Sequence, residues 1–129
     1  MKSYELGLYE KAMPSSLSWW EKLTAAKKAG YDYLEMSIDA SEEKIRRIYM
    51  SKQERFELIR DMYQTEMPIR TMCVSALTKF SLGNPDGEKA GRGMEIAEKS
   101  IELAADLGIR VVMIPGYDVY YEPSDEKTK

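Results

Sequence analysis

One punctuation pattern occurs twice in this chain. Residues 25–36 read AAKKAGYDYLEM and residues 103–114 read LAADLGIRVVMI. Each is the end of a helix, then a glycine, then an apolar strand. That is how successive βα units look in sequence. It confines the fold to strands laid parallel through helical crossovers.

The rest of the chain parses to the same rhythm. Tyr4 to Tyr9 is short and apolar and predicts a first strand, followed by the breaker cluster Pro14-Ser15-Ser16. Ser18 and Glu21 have the spacing of a capping box. They predict a helix from Trp19 with a stripe of Trp19, Leu23 and Ala26, ended by Gly30. Tyr33 to Ile38 is the second strand. Asp39 and Ser41 open another helical region, with Glu42 and Glu43 complementing its dipole. Ser51 and Glu54 repeat the capping box and start a helix to Gln64 with Phe56, Ile59 and Met62/Tyr63 inward; Pro68 blocks its continuation. Ile69 to Val74 is the third strand. The longest helix spans Glu88 to Leu107, with Met94, Ala97, Ile101 and Ala104/Ala105 as its apolar stripe, and Gly108 closes it. Arg110 to Ile114 is the fourth strand, ended by Pro115-Gly116.

Strand starts lie roughly 30–40 residues apart, room for a right-handed crossover through a helix. Strands two to four are apolar rather than strictly alternating, as expected of strands covered on both faces. The fold class is therefore α/β: parallel βα repeats with four strands. Residues 1–122 form that domain and 123–129 a polar tail. Two architectures use the pattern, a doubly wound sheet and a (β/α)8 TIM barrel. A barrel takes about 250 residues, so a chain of 129 would supply half of one. No glycine-rich phosphate loop follows strand one, which disfavours a nucleotide-binding sheet.

Composition narrows the function. With 19 Lys+Arg against 22 Asp+Glu the net charge is -3, so no basic excess exists to hold nucleic acid. No apolar run approaches the ~20 residues of a membrane span, and the N-terminus lacks the apolar core of a signal peptide. The single cysteine, Cys73, excludes an intrachain disulfide and fits a reducing cytoplasm. There is no histidine, which removes the commonest metal ligand. No pair of carboxylates has a spacing that demands a metal, and the chain offers no metal-ligand set and no assigned catalytic residue.

In either architecture a ligand sits at the carboxyl ends of the strands. The residues there are Glu10 and Lys11 after strand one, Glu35, Ser37 and Asp39 on strand two, Ser75 and Lys79 after strand three, and Tyr117 and Tyr120 after strand four. This mixture of carboxylates, hydroxyls, ammonium groups and aromatics suits a polyhydroxylated, phosphorylated small molecule. Each residue also has a plainer role. Glu10 and Lys11 read equally as an exposed loop pair. Glu35 lies between Leu34 and Met36, where an unpaired carboxylate costs several kcal/mol, so it needs a partner or a wet cavity. Asp39 reads equally as a helix cap, and the tyrosines as packing or interface residues. Cys73 reads as a buried inert thiol, and Lys44, Arg46, Arg47 and Lys52 as a solvated helix face.

Several runs resemble one known family. Leu6-Gly7-Leu8-Tyr9-Glu10-Lys11-Ala12-Met13-Pro14, Trp20-Glu21 and Ala29-Gly30-Tyr31-Asp32-Tyr33-Leu34-Glu35-Met36-Ser37-Ile38-Asp39 are similar to the start of the L-ribulose-5-phosphate 3-epimerases. These belong to the xylose-isomerase-like barrels, and some carry the label hexulose-6-phosphate isomerase. The likeness continues through Met72-Cys73-Val74-Ser75-Ala76, Asp106-Leu107-Gly108-Ile109-Arg110-Val111 and Pro115-Gly116-Tyr117-Asp118-Val119-Tyr120-Tyr121-Glu122. The resemblance implies the N-terminal half of a TIM barrel that uses divalent manganese or zinc to epimerise a ketopentose phosphate, L-ribulose 5-phosphate or L-xylulose 5-phosphate. It also implies metal ligands on later strands, matched by no position here, so that this chain holds no cofactor and is inactive alone. Where the family has a histidine and basic residues after the strand-three Ser-Ala, this chain has Leu77-Thr78-Lys79. The open edges of a half-barrel call for a homo-oligomer or the missing C-terminal half. Two alternatives stand beside this reading: a self-sufficient half-barrel that binds sugar phosphate as an oligomer, and a non-catalytic doubly wound binding module.

Overall fold

The computed structural model describes residues 2–116. Four strands, β1 (Gly7–Tyr9), β2 (Tyr33–Ser37), β3 (Ile69–Cys73) and β4 (Val111–Met113), form one sheet in the order β1-β2-β3-β4. Every neighbouring pair is parallel. Helix α1 (Trp19–Lys28) joins β1 to β2. A short α2 (Glu42–Ile45), a 3-10 turn (Arg46–Tyr49) and α3 (Lys52–Thr65) join β2 to β3. A 3-10 turn (Ser75–Thr78) and α4 (Gly87–Leu107) join β3 to β4.

The local signals explain these boundaries. Ser18 Oγ accepts the Glu21 N–H at 3.2 Å while Glu21 accepts the Ser18 N–H at 3.1 Å. Ser51 and Glu54 repeat the exchange at 3.1 and 3.2 Å. Two orphan donors are satisfied at each helix start. Gly30 and Gly108 follow α1 and α4 at φ 91° and 75°, a conformation that costs a side chain about 1 kcal/mol or more. α3 ends differently: Glu66 itself adopts φ 54°.

Strands laid in sequence order, each reached by a right-handed crossover, carry all their helices on one face. The burial follows suit. Leu34, Met36, Ile69 and Met72 are fully buried under the helices, together with Leu23, Ala26, Leu58, Ile96 and Leu103. On the opposite face Val111 and Met113 are 55% and 52% exposed. A doubly wound sheet reverses its strand order at a switch point and covers both faces. The present sheet does neither, so it is a four-strand sector of a barrel. Among the described residues helices cover the outer face only. An irregularity in register between Leu34 and Glu35 sets Ile69 and Thr71 opposite consecutive β2 residues. It keeps Glu35 and Thr71 together on the inner face.

Three details differ from the sequence reading. β1 begins at Gly7; Tyr4 and Leu6 are 65% and 47% exposed. In α3 the buried residue is Leu58, with Ile59 and Met62 packed beside it, whereas Phe56 and Tyr63 face out. In α4 the inward stripe is Gly93, Ile96, Ala97, Ser100, Leu103, Ala104 and Leu107, one position away from Met94 and Ile101. Gly93 is required there, because a Cβ would stand 2.0 Å from the Phe80 carbonyl oxygen.

Candidate functional site

The carboxyl ends of β1 and β2 meet over Glu10. This residue opens a 3-10 turn directly after β1 and is 1% exposed. Its carboxylate accepts from the Ser37 N–H at 2.6 Å, from Lys22 Nζ at 2.9 Å, from Lys44 Nζ at 3.4 Å and from both terminal nitrogens of Arg47. Arg47 also donates to the Ser37 carbonyl at 2.9 Å. The Trp19 ring lies 5.0 Å from the Lys22 ammonium and 4.6 Å from the Arg47 guanidinium. One carboxylate thus pins β1, α1, the end of β2 and the α2 region together. Burial by itself would push the Glu10 carboxyl up; Arg47, Lys22 and the Ser37 N–H outweigh it and hold it at about 2. The Lys44 ammonium is pushed down, first by burial and then by the charge of Arg47. Three cations around one anion leave two positive charges in excess, held beside the mouth of the strands.

Beside this cluster Lys11 pairs with Asp39 at 3.0 Å. Asp39 also accepts from the Ser41 N–H at 2.9 Å and the Ser41 hydroxyl at 2.5 Å. Burial opposes the charge on both partners. The Ser41 bonds and Lys11 nevertheless hold the Asp39 carboxyl below its usual range, and Asp39 holds the Lys11 ammonium above its own. Further in, the Tyr9 hydroxyl donates to Ser37 Oγ at 3.1 Å, and Thr71 Oγ1 donates to Glu35 at 2.7 Å. Burial raises the Tyr9 phenol, the neighbouring Cys73 adds to this and Ser37 opposes it, so Tyr9 stays a neutral donor. The inner face therefore presents a phenol, a hydroxyl, a thiol and a carboxylate in adjacent register.

Of the residues singled out from sequence, Glu35, Ser37 and Asp39 come together with Lys11 around the ends of β1 and β2. Glu10 does not present a free carboxylate to this face; it is neither an exposed loop pair nor an open contact, but the centre of a buried ion cluster. Ser75 opens the 3-10 turn after β3, its carbonyl accepting from Thr78. Lys79 is on the surface with its ammonium 5.3 Å from the Phe80 ring. Tyr117 and Tyr120, with the tail, lie outside the described residues. Cys73 is half-buried on the inner face rather than enclosed in the core. Lys44 and Arg47 are not a solvated face; only Arg46 and Lys52 are. The signal for Lys22 was its position: with Trp19, Leu23 and Ala26 it falls on the helix's inward stripe, where a lysine must find an anion.

The donor set does not fit a metal. Among the described residues no three His, Cys, Asp or Glu side chains converge. Glu10 is saturated by cations and Asp39 by Lys11 and Ser41. A groove of about 550 Å³ is at the other end of the strands, lined by Met62, Tyr63, Pro68, Arg70, Leu107 and Arg110. No helix among the described residues is long and apolar enough to cross a membrane.

Known proteins place this geometry. The chain is 44% identical, over its whole length, to SgbU of Escherichia coli strain K12 and 42% identical over 99% of its length to SgbU of Haemophilus influenzae. It is 40% identical over 99% of its length to the L-ribulose-5-phosphate 3-epimerase UlaE of Escherichia coli strain SMS-3-5. In each case it spans 45% of the relative's length. A solved D-psicose 3-epimerase superposes over 95% of this chain and 42% of its own, with TM-score 0.72 at 16% identity. The 3-keto-D-glucoside 4-epimerase YcjR of E. coli does so over 86% and 37%, with TM-score 0.63 at 18% identity. Both likenesses concern the fold, and both proteins extend well beyond the matched part. The sequence profile of the xylose isomerase-like TIM barrels matches residues 23–129. A sequential parallel sheet with helices on one face, matched over most of its length by that profile, makes the chain a member of the xylose isomerase-like TIM barrel family.

Proposed function

We propose that this chain forms the N-terminal, substrate-facing half of a sugar-phosphate 3-epimerase that interconverts L-ribulose 5-phosphate and L-xylulose 5-phosphate. The 40% identity to UlaE, carried end to end, supports this reading most directly. The inner face fits a polyol: Tyr9 and Glu35 in one row and Ser37 and Cys73 in the next offer donors and acceptors, and Lys11–Asp39 sits above them. The excess of positive charge around Glu10 raises the local potential where a phosphate dianion would arrive.

Epimerisation beside a ketone removes one proton and returns it to the opposite face of the same carbon. It needs two proton-transferring groups on opposite sides and a stabiliser for the enediolate. Among the described residues the inner row of the strands carries one carboxylate, Glu35, and Thr71 already holds it. On this reading the half binds and orients, and no opposed pair stands among its described residues. The divalent manganese or zinc expected of the family finds no ligand set among the described residues, and on this reading later strands supply it.

Titration calorimetry with L-ribulose 5-phosphate, inorganic phosphate and L-ribulose tests the binding role. Saturable binding strongest for the phosphorylated sugar is expected. Equal binding of all three, or none, refutes the substrate assignment. Turnover of L-ribulose 5-phosphate by this chain alone with added manganese would refute the claim that the half is inert.

A further inference from the structure

We propose that the buried cluster around Glu10 binds a second anion, a phosphate dianion, held on its outward side by Lys44 and Arg47. The site deepens the reading above, on which it rests for one candidate bearer of the phosphate, L-ribulose 5-phosphate. The charges of the cluster do not balance. Lys22, Lys44 and Arg47 all make their ion pairs with the one Glu10 carboxylate. The carboxylates on the surrounding segments are committed elsewhere. Glu21 caps Ser18, Asp39 is held by Lys11 and Ser41, and Glu42 pairs with Arg92. Glu43 is exposed and pairs with none of the three cations. The Trp19 ring lies against Lys22 and Arg47 but carries no net charge. Two positive charges are therefore left in a desolvated space, where an unpaired charge is costly.

The burial of the four side chains shows where an anion fits. Glu10 is fully enclosed at 0% exposure; Lys22 follows at 3%, Lys44 at 8% and Arg47 at 12%. The carboxylate is at the centre and the excess cations reach outward. The donor count agrees. An ammonium has three N–H groups and a guanidinium five. Lys44 commits one, over a long 3.4 Å, and Arg47 commits three, two to Glu10 and one to the Ser37 carbonyl. Two donors remain on each among the described residues. Two excess charges and four free donors match a phosphate, which carries a charge of about -2 and several strong acceptor oxygens. A carboxylate would supply half that charge. Lys11 is not the better candidate, because Asp39 already neutralises it. Ser37 joins the cluster to the inner face: its peptide groups bond Glu10 and Arg47, and its hydroxyl accepts from Tyr9. The site therefore borders the face that the polyol would occupy.

Thermal melts in sodium phosphate at about pH 7.5, against sodium chloride of equal ionic strength, test the site on the natural chain, Lys44→Met and Arg46→Met. Lys44→Met keeps the bonds between Arg47 and Glu10, and Arg46→Met removes an exposed cation nearby as a control. The melting temperatures of the natural chain and Arg46→Met are expected to rise saturably with phosphate, by at least ~3 °C. Lys44→Met should need at least ~10-fold more phosphate for the same rise. Phosphate also stabilises by exclusion from protein surfaces, without saturation and without regard to Lys44. A rise shared equally by all three chains, or none beyond that in chloride, would overturn the proposal. Equilibrium dialysis of radiolabelled phosphate with the natural chain needs no substitution: one saturable site per chain is expected, and none overturns the proposal. L-ribulose 5-phosphate separates the site from its bearer. Phosphate binding that depends on Lys44, with no further stabilisation by the sugar phosphate, leaves the anion site standing and removes the substrate. Stabilisation of the natural chain and Lys44→Met alike by the sugar phosphate does the reverse.

Discussion

Replacing Glu10 by glutamine keeps the shape of the side chain and removes the anion that Lys22, Lys44 and Arg47 share. The effect can be sized in two ways. A carboxyl held at about 2 rather than its usual 4.5 stabilises the folded chain by about 3 kcal/mol at neutral pH, at ~1.4 kcal/mol per pH unit. Removing one partner from a buried ion pair costs about 3–5 kcal/mol, because the remaining charges keep their desolvation penalty. Both figures are a large share of the ~5–15 kcal/mol that stabilises a domain. The sign with pH is fixed by the lowered carboxyl. Its contribution is complete above about 4.5 and is lost as pH falls towards about 2. Urea denaturation of the natural chain and Glu10→Gln, followed by far-ultraviolet circular dichroism from pH 7 to pH 2, measures both. The variant is expected to be less stable by about 3–5 kcal/mol at pH 7. The gap should hold down to pH 5 and shrink by about 3 kcal/mol by pH 2. A gap under about 1 kcal/mol at pH 7, or one that ignores pH, would show that the cluster is solvated and that Glu10 does not organise it.

Within the same cluster, Arg47→Met should destabilise by about 3 kcal/mol or more, since Arg47 holds Glu10 with two nitrogens, bonds the Ser37 carbonyl and stacks on Trp19. Lys44→Met should cost less than about 1 kcal/mol, because its long contact is offset by burial and by repulsion from Arg47; the order reversed in denaturation midpoints would refute this. Gly93→Ala should cost about 2–4 kcal/mol through its clash with the Phe80 carbonyl, whereas Gly91→Ala, with open space around it, should stabilise by about 0.5–1 kcal/mol. Thermal melts of the pair check it. Ser100→Ala should stabilise by about 1 kcal/mol, since the buried hydroxyl has no partner; a lower melting temperature would mean that the hydroxyl is bonded after all.

The element boundaries were legible because their causes are local. Ser18 with Glu21, Ser51 with Glu54, Gly30 and Gly108 each act within one turn of helix, and all appear where the sequence places them. The helix faces were less legible. In α4 the bulky Met94 and Ile101 suggest the inward stripe, yet the inward positions include Gly93 and Ser100, chosen for close approach rather than for apolar area. In α3 the aromatic Phe56 and Tyr63 suggest a core, but the slot between α1 and α4 takes Leu58 with Ile59 and Met62. Size is a poor guide where a helix packs closely. The ion cluster was illegible for another reason. Glu10, Lys22, Lys44 and Arg47 come from three separate segments, and no local pattern says which charges will share a desolvated space.

The two faces of the sheet are legible to different degrees because they are finished by different things. Residues on the outer row, Leu34, Met36 and Met72 among them, meet helices encoded in this same chain, and their apolar character is complete in itself. Residues on the inner row, Tyr9, Glu35, Thr71, Cys73, Val111 and Met113, are a mixture that no helix among the described residues covers. A single row carrying a carboxylate and two exposed aliphatic side chains makes little sense as the surface of a finished domain. It makes sense as one wall of an interior, where the aliphatic residues pack and the polar ones are the ligand contacts proposed above. The mixed character of that row agrees with a sheet that forms part of a larger barrel, as the 45% coverage of the relatives does.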